Sequence, residues 1–293
     1  MLVLGVAVAL TLLVADLVVL VALRWPRFDP ASPSGRSVAE AAARRPEGIA
    51  DLRDDTSGDR PTLLGLSAAA VAVVASTALF GLLFLFVRTR TGAAGLDLAS
   101  ARWAARHAGA TSTSVLRVLT YLGSSAVVLP LVVVLGIAEH RRLASRAIPA
   151  FLLLVEAGQL LLANVVKVLV GRARPDLDQL TRATGLSFPS GHTTNAAATF
   201  AALALLLGRG RTTTARAALA GAAAGLTALV ASTRVLLGVH WLTDVLAGAA
   251  LGWGWAALCS IAYGGGILRF GAPLEPGYEA AQAAASPPAP AGR

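Results

Sequence analysis

Residues Ile148 to Pro175 read IPAFLLLVEAGQLLLANVVKVLVGRARP. From Ile148 to Val170 the polar interruptions are Glu156, Gln159, Asn164 and Lys167. About 20 apolar residues are enough to cross the hydrocarbon of a bilayer as one helix, which satisfies its backbone hydrogen bonds internally. This helix runs directly into Gly171, Arg172, Ala173, Arg174 and Pro175, so cations collect where it leaves the apolar layer. Lys167 is the only lysine of the chain; every other basic side chain, histidine aside, is arginine.

Working outward, further apolar runs lie near Leu2–Leu23, Leu63–Val87, Val115–Ile137, Thr193–Leu207, Ala217–Leu237 and Val245–Tyr263. Hydrophobic residues make up 56% of the chain and charged residues 14%, against roughly 25% charged in a soluble domain. This predicts an all-α polytopic membrane helix bundle and excludes a soluble helical protein. The expected organisation is an N-terminal transmembrane anchor over residues 1–23, a flexible cytoplasmic linker over 24–62, a six-helix membrane core over 63–264 and a disordered cytoplasmic tail over 265–293. The linker mixes arginine, acids, proline and glycine, and the tail is low-complexity, so neither can bury a core. The net charge of +9 suits anionic lipid headgroups, not nucleic acid, because the arginines flank apolar segments. Cys259 stands alone in an apolar run and forms no intrachain disulfide.

Two short loops fix an orientation. Arg141, Arg142 and Arg146 fall in one, and Arg209, Arg211 and Arg216 in the other; short arginine-rich loops mark the cytoplasmic side. The opposite ends of the same segments are then extracytoplasmic, with Met1 outside and the 24–62 linker inside. Arg88, Arg90, Arg102 and Arg106 run against this pattern, and Leu96–His107 is read as an interfacial amphipathic helix with its arginines on headgroups.

Three clusters lie on the outward ends: Lys167 to Arg174, then Pro189-Ser190-Gly191-His192, then Thr233-Arg234 followed by His240 and Asp244. At about 100° per residue, Glu156, Gln159, Asn164 and Lys167 share a face about 140° wide, a polar stripe for helix packing that carries Lys167 to the edge. Arg174 is favoured for the site because Pro175 fixes its neighbourhood; Arg172 is assigned to headgroups. Ser190 is read as an N-cap. Gly191 lets backbone approach a ligand, and the N–H groups of a helix start bind phosphate oxygens. His240 and Asp244, four apart, share a helical face, where the carboxylate fixes the imidazole tautomer. Arg234 adds a planar fork suited to phosphate. Three fixed cations beside the histidines oppose a metal, so neither metal nor cofactor is expected.

In order, these residues resemble the signature of the type 2 phosphatidic acid phosphatase superfamily, which includes lipid phosphate phosphatases and undecaprenyl-diphosphate phosphatases. Lys167-x6-Arg174-Pro175 and Pro189-Ser190-Gly191-His192 match it in full; Thr233 stands where the third motif usually has serine and keeps the hydroxyl. The resemblance covers roughly Leu63 to Tyr263. It implies His240 as nucleophile forming a phosphohistidine, Asp244 orienting it and His192 protonating the leaving oxygen. It further implies Lys167, Arg174, Ser190, Gly191 and Arg234 as the phosphate cradle. The expected function is a metal-independent lipid phosphatase of the bacterial cell membrane, acting at the extracytoplasmic face on a polyprenyl diphosphate or phosphatidate type of lipid. A phosphotransferase using the same site and a non-catalytic lipid-binding or transport protein are the alternatives; a haloperoxidase is disfavoured because those resemble soluble members.

Overall fold

The computed structural model describes residues 1–24, 60–89, 94–143, 147–177, 179–209 and 211–263. The 265–293 tail, Arg90, Arg146 and residues 25–59 of the predicted 24–62 linker lie outside them. The described residues form helices α1 (Leu2–Arg24), α2 (Arg60–Thr89), α3 (Ala94–His107) and α4 (Ala110–Leu119), then a 3₁₀ turn (Thr120–Gly123). After it come α5 (Ser125–Leu143), α6 (Ala147–Val170), α7 (Gly191–Leu207), α8 (Thr213–Leu236) and α9 (Leu242–Ala262). The architecture is all-helical, as expected.

Polarity is distributed as in a membrane bundle. Val74 on α2, Val134 on α5 and Leu153, Leu161 and Val168 on α6 are large, apolar and exposed, which costs little against lipid tails and much against water. Four helices among the described residues are long and apolar enough to cross a membrane: Ala69–Thr89, Ile148–Val170, Thr213–Leu236 and Leu242–Ala262. One predicted span needs correction. The run Val115–Ile137 is not one straight helix: α4 with its 3₁₀ turn meets α5 at a 45° bend, and the bend directs Thr120 and the Gly123 carbonyl toward neighbouring helices. The run Thr193–Leu207 is short because α7 is the central helix, buried nearly all round from Thr193 to Phe200. With little lipid to face, it is built of alanine and threonine instead of large aliphatic residues.

Small residues let the centre close up. Gly248 and Gly252 of α9 lie against α7, where an added Cβ would stand 2.8 Å from the Ser190 carbonyl and 2.5 Å from the Thr194 carbonyl; helices in membranes approach most closely through such spacing. Val128, Phe151 and Val155 pack with Ala198 and Leu206 to join α5, α6 and α7. Val3 and Ala7 of α1 pack on Leu236, Leu237 and Val239, so the first helix covers the end of α8.

Two of the four polar residues of the predicted α6 stripe are spent on α7: Thr199 Oγ1 donates to Glu156 Oε1 at 2.6 Å and Gln159 Nε2 to Asn195 Oδ1 at 2.8 Å. Asn164 departs from the stripe. It is exposed and donates to the Leu160 carbonyl of its own helix at 2.8 Å.

Candidate active site

The site forms where α6 ends, α7 begins, α8 ends and α9 begins. The 171–190 segment wraps this end and is pinned by backbone bonds, Ser187 N–H to the Arg172 carbonyl at 2.8 Å and Ser190 N–H to the Asp244 carbonyl at 3.0 Å. Gly238, at φ 71, turns the chain after α8 in a conformation that favours glycine. The next residues fold back so that the N–H groups of Val239 and His240 both reach the Arg234 carbonyl, at 3.2 and 3.3 Å. This turn holds His240 2% exposed, above Asp244 at 0%.

The His240 ring is bonded on both sides. Nδ1 lies 3.3 Å from Asp244 Oδ2, which also accepts the Trp241 N–H at 3.0 Å. Nε2 lies 3.0 Å from Arg174 Nη1. A guanidinium nitrogen only donates, so Nε2 presents its lone pair and Nδ1 carries the proton. Burial, helped by Arg174 and Arg234 and opposed by Asp244, holds His240 down to about 4. The ring is therefore neutral near pH 7.

Arg174 is held in place by the Thr184, Gly185 and Val239 carbonyls at 3.0, 3.0 and 2.8 Å. Burial pulls its guanidinium below arginine's ordinary range. Lys167 Nζ donates to the Leu186 carbonyl at 3.1 Å, which Arg174 Nη2 also reaches at 3.3 Å. Lys167 Cε is the nearest atom to the place of a Gly191 Cβ, at 3.9 Å. Arg234, 4% exposed, donates to Thr120 Oγ1 at 2.9 Å, and its Nε finds no partner among the described residues. His192 occupies the first turn of α7, where it interacts electrostatically with Arg234, His240, Arg174 and Lys167. The eight residues singled out in the sequence thus come together at one end of the bundle.

Two expectations are corrected. Ser190 occupies the N-cap position but makes no cap bond through its side chain; its hydroxyl accepts instead from Thr193 Oγ1 at 3.0 Å. Arg172 does not reach out to headgroups. It donates to Asp244 Oδ1 and to Asp97 Oδ2, each at 2.7 Å, because two buried carboxylates offer a better electrostatic setting than the membrane edge. Asp97, Thr120, Trp241 and Thr243 are site residues that the sequence reading missed. Asp97 had a signal: it is the sole acid between Arg88 and Ser125.

The family model of the PAP2 superfamily matches residues 149–265, a stretch that holds every residue of the three clusters. The chain carries a PAP2 superfamily region over these residues. This chain is 37% identical over 138 residues to phosphatidylglycerophosphatase B of Bacillus subtilis (strain 168), covering 46% of this chain and 66% of that protein. It is 39% identical over 113 residues to lipid A 1-phosphatase of Rhizobium etli, covering 35% of this chain and 45% of that protein. The matches thus span just under two thirds of the first relative and under half of the second. The crystal structure of a transmembrane PAP2 type phosphatidylglycerolphosphate phosphatase from Bacillus subtilis superposes with a TM-score of 0.58 at 29% identity, covering 63% of this chain and 94% of that one. The PAP2 assignment and the multi-pass membrane fold agree with the sequence reading.

Proposed function

We propose that this protein is a metal-independent lipid phosphatase that hydrolyses a lipid phosphate or diphosphate at the extracytoplasmic face through a phosphohistidine on His240. The observation that carries this reading is the arrangement at the His240 ring. An unprotonated Nε2 faces an anion-binding guanidinium at 3.0 Å, while Nδ1 is backed by a buried carboxylate. A phosphoryl group drawn in by Arg174 meets a nucleophilic lone pair directly.

The chemistry follows from the residues. Lys167, Arg174 and Arg234 neutralise the phosphoryl oxygens, the main requirement of phosphoryl transfer. The Nε2 lone pair forms the N–P bond while the P–O bond to the lipid breaks, and His192 gives its proton to the departing oxygen. Asp244 stabilises the imidazolium that results. Water then attacks phosphorus, His192 takes its proton, and phosphate leaves with Nε2 restored. The site's place at the end of apolar helices favours substrates whose tail stays in the bilayer. The relatives named for phosphatidylglycerophosphate and for the 1-phosphate of lipid A support a terminal phosphate on a lipid. Polyprenyl diphosphate and phosphatidate have the same form.

The test is phosphate release by the detergent-purified protein, in the presence of a chelator, from phosphatidylglycerophosphate, undecaprenyl diphosphate, phosphatidate and a water-soluble phosphoester. Release from at least one lipid is expected, with a loss of at least about 10³-fold in His240→Ala, a size typical of removing the nucleophile of a catalytic unit. Release that survives His240→Ala would remove the phosphohistidine.

A further inference from the structure

The carboxylate behind the nucleophile is itself held. Asp244 is fully buried, and its two oxygens are used differently: Oδ2 serves His240 Nδ1 and the Trp241 N–H, whereas Oδ1 accepts from Arg172 Nη1 at 2.7 Å. The second fork nitrogen of Arg172, Nη2, donates to Asp97 Oδ2 at 2.7 Å. Asp97 is 3% exposed and is fixed in turn by Thr243, whose N–H and Oγ1–H donate to its two oxygens at 2.8 and 2.7 Å. Arg172 Nη1 also lies 2.7 Å from Thr243 Oγ1, and the guanidinium sits over the Trp241 ring, 5.4 Å from its centroid.

We propose that Asp97 and Arg172 are positioning residues: a carboxylate–guanidinium bridge from α3 that sets the orientation and the charge of Asp244, and through Asp244 the readiness of His240. This rests on the reading of His240 as nucleophile. The pairs of Arg172 with Asp244 and with Asp97, each at 2.7 Å, are the shortest ion pairs among the described residues, and neither is an isolated surface contact. A buried carboxylate without a cation is expensive, and a planar fork can serve two carboxylates at fixed angles where lysine cannot. Because both fork nitrogens are committed to carboxylates, Arg172 is not available as a phosphate ligand, in contrast with Arg174. Asp97 prevents Arg172 from collapsing fully onto Asp244, so Asp244 keeps enough negative charge to hold the Nδ1 proton. The bridge also makes α3, an amphipathic helix at the rim, part of the site.

His240 faces Asp244 from α9, Arg174 from the 171–190 segment, Arg234 from α8 and His192 from α7, with Lys167 of α6 beyond Gly191. Among these, the bridge acts on Asp244 alone. Removing the guanidinium with Arg172→Gln leaves Asp244 more negative, so the His240 titration moves up by about one pH unit, the shift expected when a neighbouring charge is unmasked. Asp97→Asn gives Arg172 wholly to Asp244, so the titration does not rise. Arg172→Lys keeps the cation and returns the titration toward wild type.

The experiment is an NMR titration of ¹³C-histidine-labelled full-length protein in detergent, with His240 assigned from His240→Gln, run on wild type, Arg172→Gln, Arg172→Lys and Asp97→Asn. Phosphate release kinetics on phosphatidylglycerophosphate vesicles accompany it. We expect the upward shift in Arg172→Gln alone, with kcat falling about tenfold or more and KM within about twofold. An unmoved titration in Arg172→Gln, an equal rise in Asp97→Asn, or a loss confined to KM would overturn the bridge; the last would make Arg172 a substrate ligand. The titration needs no turnover. If wild-type protein releases no phosphate, the proposed function fails while the bridge is still decided.

Discussion

At the scale of the residue, His240 as the proposed nucleophile should set the acidic side of the pH response. Its folded value of about 4 lies below histidine's ordinary range, chiefly through burial. The proposed nucleophile acts in its neutral form, so the acidic limb that His240 sets in kcat/KM should fall near pH 4 and not near 6.5, about tenfold per unit below pH 4, apart from the dependence set by the proton of His192. A pH profile of kcat/KM under conditions where the fold persists checks this. An acidic limb near 6.5 would mean that the ring titrates as if solvated, and the buried geometry would not be the working one. The residues that carry this argument were legible because their spacing is local. His240 and Asp244 are one helical turn apart, and Lys167 advertises itself as the only lysine. Asp97 and Arg172 were not legible, since their bond joins residues 75 apart and nothing in either neighbourhood names the other. Arg172 also sits between two motif residues, where its identity alone could not show which way its side chain turns.

At the scale of the element, the bend between α4 and α5 couples packing to the site. Thr120 of the 3₁₀ turn takes a bond from Arg234, and the Gly123 carbonyl takes one from Asn195 Nδ2 at 3.1 Å. The turn can lie this close only because position 123 has no side chain: a Cβ there would stand 2.7 Å from the His192 carbonyl and 2.6 Å from Val230 Cγ1. Gly123→Ala must therefore push the turn away from the first turn of α7 and withdraw Thr120 from Arg234. Overpacking of this kind costs about 1–3 kcal/mol, so a lower melting temperature and weaker substrate binding are expected together. Unchanged values in a thermal melt and in KM would show that the turn does not support the cradle. Hydropathy reported an apolar stretch here and could not report the break. The bend is decided by which backbone atoms crowd Gly123, a tertiary fact that a sliding window does not contain. The short, alanine-rich α7 has a composition that answers to neighbours on every side and not to lipid.

At the scale of the whole molecule, the helices alternate so that all site elements open at one end. The starts of α5, α7 and α9 and the ends of α2, α6 and α8 share it. The start of α1 lies there too, because Val3 packs with Leu237 and Val239. The opposite end carries Arg142 Nη2 on the Arg209 carbonyl at 3.4 Å and the Arg142–Glu139 pair at 3.2 Å. Short arginine-rich loops generally stay on the cytoplasmic side during insertion, and those of this chain lie at the far end from His240, which is what supports the proposed outward face. This makes the proposed outward face testable without any substrate. Cys259 is buried, 1% exposed, so it offers little background to a thiol reagent. Single cysteines at Arg182 in the site-side segment, at Leu2 at the start of α1 and at Arg211 between α7 and α8 sample both ends. In intact bacterial cells a membrane-impermeant maleimide should label Arg182→Cys and Leu2→Cys and leave Arg211→Cys untouched until the cells are opened. The reverse pattern would place His240 in the cytoplasm and limit its substrates to lipids of the inner leaflet. Labelling of Arg182→Cys without Leu2→Cys would separate α1 from the end of α8 on which it packs.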